Sequence, residues 1–149
     1  MTPRPQLFLD LSVVLTGFSP VRLRGTGMAD RYLEEIDSMV PAGLLDRILS
    51  QNASADSPLI GDHIAAVLDD PDLGPVARNI MIMWYCGVWT ALPDAWRERN
   101  GAAALDATHV VSSAAYQSGL QWAVVGAHPA GARQQGFGAW STEPADLAS

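Results

Sequence analysis

From Asn79 to Leu92 no residue carries a charge, and Ile80, Met81, Ile82, Met83, Trp84, Tyr85, Val88 and Trp89 leave no polar face on any helix drawn through the stretch. A helix that is apolar all round has to be enclosed by its neighbours. The run is well short of the roughly 20 residues that cross a bilayer as a helix, so the enclosure must be protein and no direct membrane span is expected. The pattern predicts a central helix over 76–92, stopped by Pro93, with the rest of the chain arranged around it.

The rest of the chain supplies amphipathic helices for that purpose. Leu7, Leu11, Leu15 and Phe18 recur at spacings of four and three, with Phe8 and Val14 beside them. Pro5 suits the first turn of this helix and Gly17 its end. After an arginine-bearing loop, Met28, Tyr32, Ile36 and Val40 fall four apart, with Asp30, Arg31, Glu34 and Glu35 on the other faces and Thr26 as the expected cap. Leu44, Leu45, Ile48 and Leu49 give a third helix ending near Asn52. Gln51 to Ser57 reads as a loop, and Ser57-Pro58 is a cap-plus-first-turn signature for a fourth helix with Ile60, Ile64, Val67 and Leu68 inward. The stretch Asp69 to Pro75 ends it. Asp94 to Gly101 reads as a polar connector with room for a helical turn. From His109 to Val125 there is no Asp, Glu, Lys or Arg, and Tyr116, Leu120 and Val124 fall four apart, which favours a second buried helix over a strand through His109 to Ser112.

Past Gly126, the residues Pro129, Gly131, Gly136, Gly138 and Pro144 forbid a long helix while Phe137 and Trp140 still call for burial. The expected fold is therefore mainly α: a compact helical domain of about five to six helices over 1–126, and an extended Gly/Pro-rich C-terminal arm, 127–149, packing on a partner. Five tryptophans are a heavy load for 149 residues. Large aromatics are enriched at protein interfaces, so a substantial partner surface is expected. The net charge of -7 excludes nucleic acid as a general partner, because phosphates are repelled. Cys86 is the sole cysteine, which excludes an internal disulfide and a thiolate set for a metal.

Catalytic patterns are weak. Gly25, Gly27 and Asp30 approximate a dinucleotide-binding turn after Val21 to Arg24, but Asp30 occupies the position where helix and strand must pack closely, so a loop leading into a helix is the better reading. Asp62 and His63 are adjacent and point to different helix faces, and Asp69, Asp70 and Asp72 gather at a helix end where capping explains them. A small helical enzyme or ligand-binding domain using the Asp62-His63 region is the alternative to a binding subunit. A helical regulator of an unrelated protein is the third. His109 and His128 lack any recognisable catalytic neighbour in the sequence, and Cys86 reads as packing.

Four groups of residues carry a family likeness: Leu11-Ser12 with Leu15-Thr16-Gly17-Phe18; Ile80 followed by Trp84-Tyr85, Gly87 and Trp89; Tyr116 with Gly119-Leu120 and Trp122; and Pro129, Gly131, Gly138, Trp140 and Pro144. In this order they resemble the small subunit of the bacterial FAD-dependent sugar and polyol dehydrogenases, a group that includes sorbitol, fructose, glucose and gluconate dehydrogenase complexes. The resemblance implies a non-catalytic helical chain without a cofactor of its own. Such a chain clasps and matures a large flavoprotein of the glucose-methanol-choline oxidoreductase type. FAD is then expected in the partner, with electrons passing to an acceptor subunit such as a cytochrome. Trp84, Tyr85, Trp89, Tyr116, Trp122, Pro129, Phe137, Trp140 and Pro144 are the residues expected to be shared between core and interface. The family's small subunit usually carries a twin-arginine signal, and none precedes Leu7 here. As written the chain is expected in the cytoplasm, and in the periplasm if such a signal was removed or is supplied by the partner.

Overall fold

The computed structural model describes residues 2–50 and 58–126. The C-terminal arm, with Pro129, Phe137, Trp140 and Pro144, and the 51–57 segment lie outside the described residues. Within them the fold is mainly helical, as the sequence predicts, with one two-stranded sheet.

Helix α1 (Arg4–Thr16) carries Pro5 in its first turn and ends where Gly17 takes a φ of 78°, its N–H bonded to Val13 O. Of the expected inward stripe, Leu11 is buried and Leu7, Leu15 and Phe18 pack against the core half-buried; the most deeply buried face is Phe8, Leu9, Leu11, Ser12 and Thr16. The helix is apolar around most of its girth, so spacing alone does not choose a face. Ser12 and Thr16 can go inward because their hydroxyls donate to Phe8 O and Ser12 O, each at 2.8 Å.

The arginine-bearing loop contains a short helix, α2 (Pro20–Gly25), capped by Ser19 Oγ accepting from Arg22 N at 3.2 Å. Ser19-Pro20 is the signature read at Ser57-Pro58. Val21 to Arg24, the strand that a dinucleotide turn would require, are thus helical. Helix α3 (Ala29–Met39) follows and buries Tyr32, Leu33, Glu35, Ile36 and Met39. Thr26 does not cap its start. Its hydroxyl closes the end of α2 by donating to Leu23 O and accepts from Met28 N.

Helix α4 (Leu44–Ser50) buries Leu44, Leu45, Ile48 and Leu49. Helix α5 (Ile60–Asp69) buries only Val67 of its expected stripe, with Ile60, Ile64 and Leu68 half-buried. Asp70 Oδ1 then accepts from the N–H groups of Asp72 and Leu73 and turns the chain into α6 (Gly74–Cys86).

The predicted central helix exists but is shorter than 76–92. Gly87, at a φ of 70°, ends it, and Val88–Trp89 form strand β1. Asn79, buried on α6, explains the reversal. Its amide donates to Thr90 O at 2.8 Å and accepts from Thr90 N at 2.9 Å, fastening the outgoing chain back along the helix. The polar connector proves to hold α7 (Asp94–Asn100), anchored by the buried Trp96, whose indole donates to Asp72 O at 2.7 Å.

The single helix over 109–125 also needs correction. His109–Val110 form strand β2, antiparallel to β1 with Val88 opposite Val110 and Trp89 opposite His109. Two short helices follow, α8 (Ser113–Ser118), capped by Ser112, and α9 (Leu120–Val125), parted at Gly119. Among the described residues the helices are thus more numerous than the about five to six expected, because the arginine-bearing loop holds α2, the polar connector holds α7 and Gly119 divides the last run into α8 and α9, while Gly87 shortens α6. One core of buried side chains links α1, α3, α4, α6, β1 and α7, and full burial of each Leu, Ile or Phe contributes about 1.5–3 kcal/mol.

Candidate functional site

Two of the expected interface rings belong to the core. Trp84 is buried and meets Tyr32 edge-on at 4.9 Å between ring centroids. Neither Trp84 Nε1 nor the Tyr32 hydroxyl has a hydrogen-bond partner among the described residues, and burial pushes the Tyr32 phenol well above its ordinary pKa, with nearby Cys86 adding to the shift. Trp89 is fully buried, and its indole donates to Asp106 Oδ1 at 2.7 Å. Asp106 also accepts from Leu92 N and lies 3.0 Å from Arg97 Nε, so this buried carboxylate is fully engaged.

The other three described rings, Tyr85, Tyr116 and Trp122, are half-buried and lie along one seam. The Tyr85 hydroxyl donates to Thr16 O at 3.0 Å, and its ring meets Phe18 edge-on at 5.8 Å. Trp122 meets Tyr116 edge-on at 5.4 Å and donates its indole N–H to Tyr116 O at 2.8 Å. The two pairs are joined through backbone. A Cβ on Gly87 would fall 2.5 Å from Ala115 C and O, and one on Gly119 would fall 2.7 Å from Tyr85 O. These glycines let the end of α6 and the α8–α9 break touch main chain to main chain. Cys86 Sγ contacts Gln121 Oε1 at 3.6 Å on the same seam, and Val124 and Val125 beyond it are 62% and 69% exposed.

This arrangement can bind but offers no obvious chemistry. Asp62 and His63 lie exposed on the first turn of α5, and among the described residues no three His, Cys, Asp or Glu side chains are placed to hold a metal ion. No helix among them is long and apolar enough to cross a membrane.

Sequence reasoning misses the ionic cluster around Glu35. Glu35, read as a solvent-facing charge, is buried between Arg31 and His109. The only hint in the sequence is its place one residue before Ile36 on the inward side of α3. His109 comes from 74 positions further on, so no local pattern could pair them.

Compared with protein-family profiles, with curated proteins and with solved structures, the chain matches none.

Proposed function

We propose that this chain is a non-catalytic accessory subunit that binds, stabilises and helps mature a large FAD-dependent sugar or alcohol dehydrogenase. One observation carries the proposal: three of the sequence groups that resemble the dehydrogenase small subunits, lying far apart in the chain, converge on a single seam. Thr16 and Phe18 meet Tyr85, Gly87 meets Ala115 and Tyr116, and Gly119 meets Tyr85. The half-buried rings along that seam, Phe18, Tyr85, Tyr116 and Trp122, are of the kind that anchors protein interfaces. A partner that contacts only the folded flavoprotein stabilises it by mass action, about 4 kcal/mol at a thousand times its dissociation constant.

Co-expression with a large FAD-dependent dehydrogenase subunit tests the proposal. A yellow complex in fixed ratio is expected, with the large subunit losing flavin or solubility when this chain is omitted. Replacing Tyr85, Tyr116 and Trp122 together by alanine should release the partner while the isolated chain keeps its helical circular dichroism. A fully loaded, soluble large subunit made without this chain would reject it.

A further inference from the structure

Glu35 on α3 is only 4% exposed, and both of its carboxylate oxygens are engaged. Oε2 accepts from the Arg31 guanidinium at 2.8 Å, and Oε1 lies 2.6 Å from His109 Nε2. The other ring nitrogen, His109 Nδ1, lies 2.5 Å from the carbonyl oxygen of Ala107. Both ring nitrogens therefore face acceptors. A neutral imidazole has one N–H and can serve one of them, whereas the imidazolium donates to both.

The consequence reaches past the ring. Arg31 also donates to Val111 O at 3.4 Å, so two positions one turn apart on α3 grip both ends of the 109–111 stretch that holds β2. The stretch is also tied by the two residue pairs with β1, by the Val111 N–H donated to Gly87 O at 2.8 Å, by the Ala91 N–H donated to the Thr108 hydroxyl at 3.0 Å and by the burial of Val111 in the core. Helices α8 and α9 follow directly. Glu35 and Arg31 are the charged groups that α3 presents to His109. From β1 the facing residue is the uncharged Trp89, and Asp106 is turned towards Trp89 and Arg97.

We propose that His109 is a protonation-dependent latch: charged, it ties β2 and the α8–α9 segment to α3, and on losing its proton it must abandon Glu35 or Ala107 and loosen that segment. The Ala107 carbonyl is the main influence holding the His109 imidazole above its ordinary pKa, against burial, with Glu35 adding to it and Arg31 opposing. A histidine raised in the folded state contributes its full stabilisation below the unfolded value of 6.5 and loses it as pH climbs through the folded value. The segment is thus held most firmly in mild acid. Tyr116 and Trp122 ride on it, so the latch also sets how firmly two proposed partner contacts are presented; that consequence rests on the proposed function, and the latch itself does not.

The test uses the full chain alone. The three histidine ring signals are followed by nitrogen-15 NMR from pH 5 to 9.5, with His63→Gln and His128→Gln variants to assign them. His109 is expected to be protonated at both nitrogens at pH 6 and to titrate above 6.5. Amide protection in Ala115 to Trp122, corrected for intrinsic exchange, should fall about three- to tenfold between pH 6 and 9, while protection in α1 and the core of α6 holds. The fall should vanish in His109→Gln. An ordinary or lowered His109 titration, a single protonated nitrogen at pH 6, or protection that does not follow the titration would overturn the latch. If His109→Gln does not fold, Glu35→Gln replaces it. In that variant the histidine should titrate lower and the protection change should move with it, and a fixed midpoint would overturn the proposal.

Discussion

The helical body made by α1, α3, α4 and the buried length of α6 is held by a different means from the segment that runs from Val88 to Val125. In the body, Phe8, Leu11, Ile36, Leu45, Ile48 and Ile80 interlock over several turns, and no single contact decides the position of a helix. The Val88 to Val125 segment consists of two-residue strands and short helices, too small to be stable by local propensity. Trp89, Leu92, Trp96, Ala115 and Leu120 anchor it in the same core, and its path between them is set by a few polar pegs and close approaches: Asn79 on Thr90, Asp106 beneath Trp89, Glu35 on His109, and Gly87 against Ala115. Apolar burial spreads the specification of a helix over many residues. A peg concentrates it in one.

Breaking one peg should therefore cost as much as opening a cavity in the body. Asp106→Ala leaves the Trp89 indole, the Leu92 N–H and the Arg97 guanidinium without their carboxylate. Each of the two buried donors left unpaired, the Trp89 indole and the Leu92 N–H, costs about 1–3 kcal/mol, while Arg97, 38% exposed, is rehydrated; the two together are a large part of a domain's usual 5–15 kcal/mol or so. Ile80→Ala, fully inside the body, should cost about 2–5 kcal/mol. Urea denaturation measures both, and hydrogen exchange separates them. The first should expose amides from Val88 to Val125 ahead of the rest, and the second should lower protection throughout. A cost below about 1 kcal/mol for Asp106→Ala would remove the distinction.

The same contrast explains what the sequence disclosed. The amphipathic spacing of Tyr32 and Ile36 and of Ile48 and Leu49 placed α3 and α4, because their inward residues repeat with the helix. Glu35 misled, since a charged residue on a helix is ordinarily read as facing water, and it is buried against a group that lies 74 positions away; the Thr90 backbone that Asn79 holds, 11 positions on, had no sign in the sequence either. Gly87 and Gly119 stood in the middle of apolar runs and did interrupt them. Their reason, a main chain passing within contact distance, is invisible until both strands of backbone are placed. Of the candidate interface, the residue types were legible, but their division was not. Trp84 and Trp89 went to the core because Tyr32 and Asp106 were there to receive them, and Trp96 joined them on a helix that the charges of Arg97, Glu98 and Arg99 had disguised as a connector.

Two glycines sharpen the comparison at a smaller scale. Gly119 has an ordinary φ of -55°, so Gly119→Ala tests the close approach to Tyr85 alone. Overpacking of this sort costs about 1–3 kcal/mol. Gly17 has open space around it but a φ of 78°, so Gly17→Ala tests backbone strain alone, about 1 kcal/mol. Thermal denaturation should rank Gly119→Ala below Gly17→Ala in stability, and the reverse order would mean that the seam between α6 and α8–α9 yields to an added methyl.

The smallest effect is expected where an ionic peg lies at the surface of the body. Arg4 reaches from α1 to Asp37 at 2.5 and 2.7 Å and to Asp46 at 2.7 Å, which makes it the surface counterpart of the Asp106 knot. Its side chain is 37% exposed, and Asp37 and Asp46 are more so. Water and salt screen such pairs, so Arg4→Ala should cost only about 0.5–1 kcal/mol. In 1 M salt, where the screening length is about 3 Å, the difference should shrink towards zero. Asp106→Ala should keep its cost in the same salt, because ions do not reach a buried carboxylate. Equal salt sensitivity in the two variants would show that exposure is not what separates the ionic contacts of the body from those of the Val88 to Val125 segment.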